Sequence, residues 1–180
     1  ENFYLSQLKP QIFFLENVDH ISISQLIKKI KLRKTGIVII SKSGETIETI
    51  SQSIFLLNEF KKKKISAKNN FFVITENKKS TLKYIQETYN FKYIQHSDII
   101  GGRFSVFSVV GLIPAKLSGF DIIKFCKAGK NFLDKISLDQ KKFDNLFLPS
   151  LHQYVLNNKG NKISVIMPYV DSLQNLTLWY

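Results

Sequence analysis

The spacing of apolar and polar positions changes along this chain, and each change marks an element. Gln11–Leu15 (Gln-Ile-Phe-Phe-Leu) is a short apolar run followed by polar Asn17, Asp19 and His20, which predicts a strand and a loop. Ile23, Leu26, Ile27 and Ile30 recur at helical spacing, predicting a helix to about Lys31 that Ser22 or Ser24 caps. Thr35–Ile40 is almost continuously apolar, the pattern of a strand buried on both faces of a parallel sheet. From Glu45 to Lys63 the helical period returns, with Ile47, Ile50, Ile54 and Leu57 expected to face that sheet. Asn70–Thr75 predicts a third strand, Ser80–Tyr89 a helix with Leu82, Ile85 and Tyr89 on one side, and Phe91–Ile94 a fourth, shorter strand. Strand and helix alternate throughout, which argues for an α/β fold on a doubly wound, mostly parallel sheet.

Past the glycine turn Gly101-Gly102-Arg103-Phe104-Ser105 the pattern becomes helical. A dense apolar helix is expected from about Val106 to Leu117, with Pro114 bending or ending its regularity. Gly119–Ile136 predicts one or two further helical segments, and Phe143–Leu156 another, interrupted near Pro149. Lys162–Pro168 reads as a new strand after an Asn/Gly turn, and Ser172–Tyr180 as the start of a helix. The expected organisation is a first α/β domain over 1–118, a helical connector over 119–158, and the opening of a second α/β unit over 159–180.

Composition narrows this picture. A 44% hydrophobic content in 180 residues is that of a globular protein. Met167 is the sole methionine, so the chain reads as an internal piece of a longer protein. The net charge of +12 rests almost entirely on lysine, with Arg33 and Arg103 the two arginines. Such a charge can serve nucleic acid or acidic surfaces. Here the Lys61–Lys64 run lacks interleaved aromatic residues and reads as the solvated end of a helix. Neither a nucleic-acid nor a membrane partner is expected, since no apolar run reaches the roughly 18–20 residues of a membrane span. The single Cys126 allows no intrachain disulfide framework and no paired-cysteine metal site, and fits a reducing, cytoplasmic setting.

Two stretches could carry chemistry. Ser41-Lys42-Ser43-Gly44-Glu45-Thr46 joins a strand to a helix. Such a corner offers backbone N–H groups, the positive end of a helix dipole and hydroxyls from Ser41, Ser43 and Thr46, a setting that suits a phosphate. The same residue types also cap helices in ordinary turns. The segment is neither a Walker loop nor a dinucleotide glycine fingerprint. Glu45 and Glu48 could act as a base there, or simply complement a helix start. The second stretch is Gly101-Gly102-Arg103. A guanidinium behind two glycines and before an apolar helix suits a carboxylate, a phosphate or a developing oxyanion, or a structural ion pair with Asp98 or Asp121. His20, His96 and His152 have no metal-ligand spacing.

Asp98-Ile-Ile-Gly-Gly-Arg-Phe-Ser-Val-Phe-Ser-Val-Val-Gly111 resembles the signature of the glucose-6-phosphate isomerase family. Ser41–Thr49 resembles that family's Ser-Lys-Ser-Gly-Thr-Thr phosphate loop, Asn17-Val-Asp19 its Asn-Val-Asp-Pro stretch, and Pro168-Tyr169 its Pro-Tyr strand end before a Trp. The resemblance implies two sugar-isomerase (SIS) domains, of which this chain holds most of the first and the start of the second. It implies that Ser41, Lys42 (mainly through backbone), Ser43, Gly44, Glu45 and Thr46 hold a sugar phosphate. It further implies that Arg103, on a turn supported by Gly101 and Gly102, stabilises an enediolate between glucose 6-phosphate and fructose 6-phosphate, an electrostatic role. Glu45 departs from the family's commoner Thr. No metal or redox cofactor is implied, and a homodimer is. The general base, the ring-opening His and an upstream glycine-serine loop fall outside this stretch, so the piece alone is expected to be inactive and poorly soluble. The competing expectation is a non-catalytic SIS module that senses a phosphosugar, against which Gly101–Gly111 weighs.

Overall fold

The structure, a computed structural model, describes residues 10–179. The chain divides between Phe120 and Asp121 into two compact units. In the first, helix α1 (His20–Lys29) is capped by Asp19, whose carboxylate accepts hydrogen bonds from the Ile21 and Ser22 amides. The expected caps Ser22 and Ser24 lie inside the helix instead. A carboxylate reaches the first-turn amides from the position before the helix, and it also suits the positive helix end. Ile23 and Ile27, four residues apart, are the buried positions of α1.

Three parallel strands follow, β1 (Ile37–Ile40), β2 (Phe71–Glu76) and β3 (Lys92–His96), in the order β1-β2-β3. The register pairs Ile39 with Val73, Ile74 with Ile94 and Glu76 with His96. Helix α2 (Ile47–Lys62) crosses from β1 to β2, and α3 (Thr81–Thr88) from β2 to β3. The chain is therefore an α/β protein on a parallel sheet. Val73 and Ile74 point to opposite faces of β2 and both are fully buried, so the central strand is covered on both sides.

The core gathers Ile23, Ile27, Leu32, Ile39, Leu56, Phe60, Phe71, Val73, Leu82, Ile85 and Phe91. Phe71 packs edge-on against Phe60 with ring centroids 5.1 Å apart and stacks on Phe91 at 4.9 Å. The face of α2 differs from the expected one. Ser53, Leu56 and Phe60 are buried, Ile50 and Leu57 are partly buried, and Ile47 and Ile54 are exposed. Ile54 stands roughly 120° round the helix from Phe60 at 3.6 residues per turn, outside the stripe that one sheet can cover. The short hydroxyl of Ser53 is tolerated in the stripe because it donates to the Thr49 carbonyl at 2.6 Å.

Beyond β3 a 3₁₀ segment (Gly102–Phe107) precedes α4 (Val109–Leu117), which packs against β3. The expected single helix from Val106 therefore starts three residues later, where Ser108 caps it by accepting from the Val110 amide. Pro114 lies within α4 without ending it, and its carbonyl accepts both the amide and the hydroxyl of Ser118.

The second unit holds α5 (Ile122–Ser137), α6 (Gln140–Asn158), a 3₁₀ turn (Asp171–Leu173) and α7 (Gln174–Trp179). Asp121 and Asp139 cap α5 and α6, and α6 runs through Pro149 unbroken. Among residues 121–177, Ile136 is the single buried one, while Phe132, Phe143 and Phe147 are exposed. The two strands expected at Gln11–Leu15 and Lys162–Pro168 do not form. A strand exists only with a hydrogen-bonded neighbour, and neither segment has one among the described residues. No described helix is long and apolar enough to cross a membrane.

Candidate functional site

Parallel strands bring their carboxyl ends to one edge of the sheet, where α/β proteins bind ligands. Here that edge carries the segments following β1, β2 and β3, so the Ser41–Thr46 loop and the approach to Gly101-Gly102-Arg103 lie on it together. A hydrogen bond joins them: Lys42 Nζ donates to the Asp98 carbonyl at 3.1 Å.

The loop after β1 is held from below. The Ser41 amide donates to the Ile74 carbonyl at 3.1 Å, and the Lys42 carbonyl accepts from the Glu76 amide and the Thr75 hydroxyl, each at 3.2 Å. Gly44 has φ +70°, in the region that favours glycine. A Cβ there would overlap Ser80 Oγ and sit 2.8 Å from Ser80 Cβ. This close approach seats the loop on the start of α3.

That seating decides which helix start is open. The Thr81 amide donates to Glu45 Oε1 at 2.6 Å, the Leu82 amide to the Gly44 carbonyl at 3.0 Å, and the Lys83 amide to Ser80 Oγ at 3.2 Å. The first turn of α3 is thus fully occupied. The first turn of α2 is different, because Thr46 places no side-chain oxygen on its amides. Thr46 Oγ1 instead meets Ser41 Oγ at 2.9 Å, while the Ser41 and Ser43 hydroxyls accept from the Gly44 and Glu45 amides, both at 3.1 Å. An exposed helix start with uncapped amides and a neighbouring hydroxyl is a ready seat for an anion.

The Glu45 carboxylate is engaged by the amide and hydroxyl of Thr81. Hydrogen bonds from the Thr81 hydroxyl and amide hold its carboxyl below the ordinary 4.5. Glu76 is held low as well, first by its hydrogen bond with Lys78 and further by the charges of Lys78 and Lys42, against the opposing effect of burial.

Arg103 lies exposed in the 3₁₀ segment. At this open edge its side chain keeps contact with water. Ser105 Oγ donates to the Gly102 carbonyl at 2.6 Å and Ser108 Oγ to the Ser105 carbonyl at 2.7 Å, which stiffens the turn. Gly111 packs against Val106 so closely that a Cβ would overlap the Val106 carbonyl oxygen. Gly102 faces open space, and at Gly101 a Cβ would come 3.3 Å from the Phe104 ring. Sequence reasoning missed Glu76, Ser80, Thr81 and the Asp98 carbonyl. The signal for Glu76 was its place at the end of a parallel strand, which puts it on the same edge as the other two loops.

The fold is that of an α/β protein in which the Ser41–Thr46 loop and the approach to Gly101-Gly102-Arg103 share the carboxyl end of a parallel sheet. The family model described as phosphoglucose isomerase matches residues 3–180. A probable glucose-6-phosphate isomerase from Methanococcus maripaludis is 32% identical over 95% of this chain and 39% of its own length. The glucose-6-phosphate isomerase of Methanocaldococcus jannaschii is 34% identical over 98% of this chain and 43% of its own length. The crystal structure of a hypothetical protein from Thermus thermophilus shares the fold with a TM-score of 0.80, at 24% identity, over 98% of this chain and 42% of that one. A glucose-6-phosphate isomerase from Chlamydia trachomatis superposes with a TM-score of 0.57 at 27% identity, over 66% of this chain and 22% of that one. The chain belongs to the phosphoglucose isomerase family and spans about two fifths of the length of these curated relatives.

Proposed function

We propose that the full-length protein interconverts glucose 6-phosphate and fructose 6-phosphate by proton transfer through an enediolate. The observation that carries this reading is the meeting of two elements on one sheet edge, the uncapped start of α2 and the turn bearing Arg103, tied by Lys42 and Asp98. In this reading the α2 amides with Ser43 and Thr46 hold the phosphate of the sugar. Glu45 contributes its backbone, since its carboxylate is engaged at Thr81. Open space at Gly102 leaves room for a sugar, and Arg103 stabilises negative charge developing at the reacting carbons. The general base comes from a later part of the full-length protein. The active form is a homodimer working in the cytoplasm, with residues 1–118 belonging to one SIS domain and 159–180 opening another.

The test is turnover of glucose 6-phosphate by the full-length protein in D2O, with proton exchange at C2 as the signature of an enediolate. Exchange supports the reading, and tight phosphosugar binding with no exchange or turnover overturns it in favour of a sensor.

A further inference from the structure

Glu76 ends β2 with its side chain only 8% exposed. Its Oε1 lies 3.5 Å from Lys42 Nζ, and its Oε2 pairs with Lys78 Nζ. A carboxylate this buried is tolerated because it is paired and because the sheet fixes it. The Glu76 amide donates to the Lys42 carbonyl, so strand and phosphate loop are joined at main-chain level too. Lys42 is therefore gripped at both ends, its carbonyl by Glu76 and Thr75, its ammonium by the Glu76 carboxylate and the Asp98 carbonyl. Asp98 lies three residues before Gly101 in the approach to Arg103.

We propose that Glu76 is a positioning residue: by holding the Lys42 ammonium against the Asp98 carbonyl, it fixes the phosphate loop relative to the turn that carries Arg103. This rests on the isomerase reading above. It also gives the Lys42 side chain a task other than the phosphate. The ammonium is engaged by this carboxylate and a carbonyl, and the phosphate falls to hydroxyls and amides.

The two ends of a sugar phosphate must then be met at a set separation. Loosening that separation spoils placement at the reacting carbons while leaving the phosphate contacts intact. Misplacement on the scale of an ångström costs turnover far more than binding.

The experiment uses the full-length protein with Glu76→Gln, which removes the charge and keeps the shape. The expected kcat falls about ten- to a hundredfold. The KM for glucose 6-phosphate and the inhibition constant of inorganic phosphate stay within about twofold. Amide hydrogen exchange at Phe104, whose N–H donates to the Gly101 carbonyl at 3.0 Å, becomes faster. Unchanged kcat, or a loss carried wholly by KM and the phosphate constant, overturns the proposal. Should Glu76→Gln fail to fold, Lys42→Met leaves Lys78 on Glu76 and is read by the same split. If the wild type does not isomerise the sugar, the functional reading fails, and exchange at Phe104 in the variant still decides the tether: faster supports it, unchanged overturns it.

Discussion

The Glu45 carboxylate caps a helix that is not its own. Its two oxygens accept the amide and the hydroxyl of Thr81, at 2.6 and 2.8 Å, across 36 residues of chain. A charge thus fastens the Ser41–Thr46 loop to α3. The positive end of α3 is satisfied, and the start of α2 has no side-chain cap.

A pH dependence follows from that contact. The Glu45 carboxyl titrates below its ordinary 4.5 in the folded state because Thr81 hydrogen-bonds its charged form. A depressed folded pKa stabilises the fold above the unfolded pKa, and that stabilisation is lost as pH falls through the folded value. Urea midpoints of the wild type and Glu45→Gln should therefore differ at pH 7, with the wild type higher. The gap should close in acid as pH passes below the folded value. A gap that stays constant throughout the acid titration would place the effect elsewhere.

Gly44→Ala should destabilise by about 1–3 kcal/mol, the scale of a side chain forced into a left-handed backbone, with the clash at Ser80 adding to it. Because the loop is displaced, inorganic phosphate should also bind more weakly. Denaturation midpoints and a phosphate titration of the full-length protein check both. Gly102→Ala, facing open space, is the control that should leave stability within about 0.5 kcal/mol.

Phe71 opens the central strand and is fully buried against Phe60 and Phe91. Replacing it by Ala removes both ring contacts and leaves a cavity, so a loss of about 3–5 kcal/mol is expected in equilibrium unfolding. Tyr89, which is half exposed and stacks on Phe91 at 5.5 Å, should tolerate Leu with a much smaller change.

Much of the first unit was legible because its signals are local. The apolar run at Thr35–Ile40 and the Leu82/Ile85 spacing each need one segment to be read. The misreadings came where a choice depends on distant partners. Ile54 and Ser53 are neighbours, and only the position of the sheet decides that the serine is buried. Asp19 outcompetes Ser22 and Ser24 because the cap stands before the helix, and three candidates within six residues cannot be ranked by type alone. Gln11–Leu15 and Lys162–Pro168 have strand composition without a strand neighbour among the described residues. At the site, the loop residues were legible as a cluster, but Glu76 and Thr81 came into view only when three carboxyl ends met on one edge.

The second unit exposes Phe132, Phe143, Phe147 and Leu148 on helices with almost nothing buried among them. Exposed apolar area on this scale drives association. The 180-residue chain alone should self-associate at micromolar concentration, with sedimentation above the monomer value and dye binding typical of exposed apolar surface. A monodisperse monomer without dye binding would contradict this.

In the proposed site Arg103 faces the carbons that react while the start of α2 holds the phosphate. This placement is tested most directly by steady-state kinetics of Arg103→Ala in the full-length protein with glucose 6-phosphate. A fall in kcat of about a hundredfold or more is expected, the scale of one lost electrostatic stabiliser, with KM changed by less than about fivefold. A normal kcat with a raised KM would make Arg103 a binding residue and exclude its role at the reacting carbons.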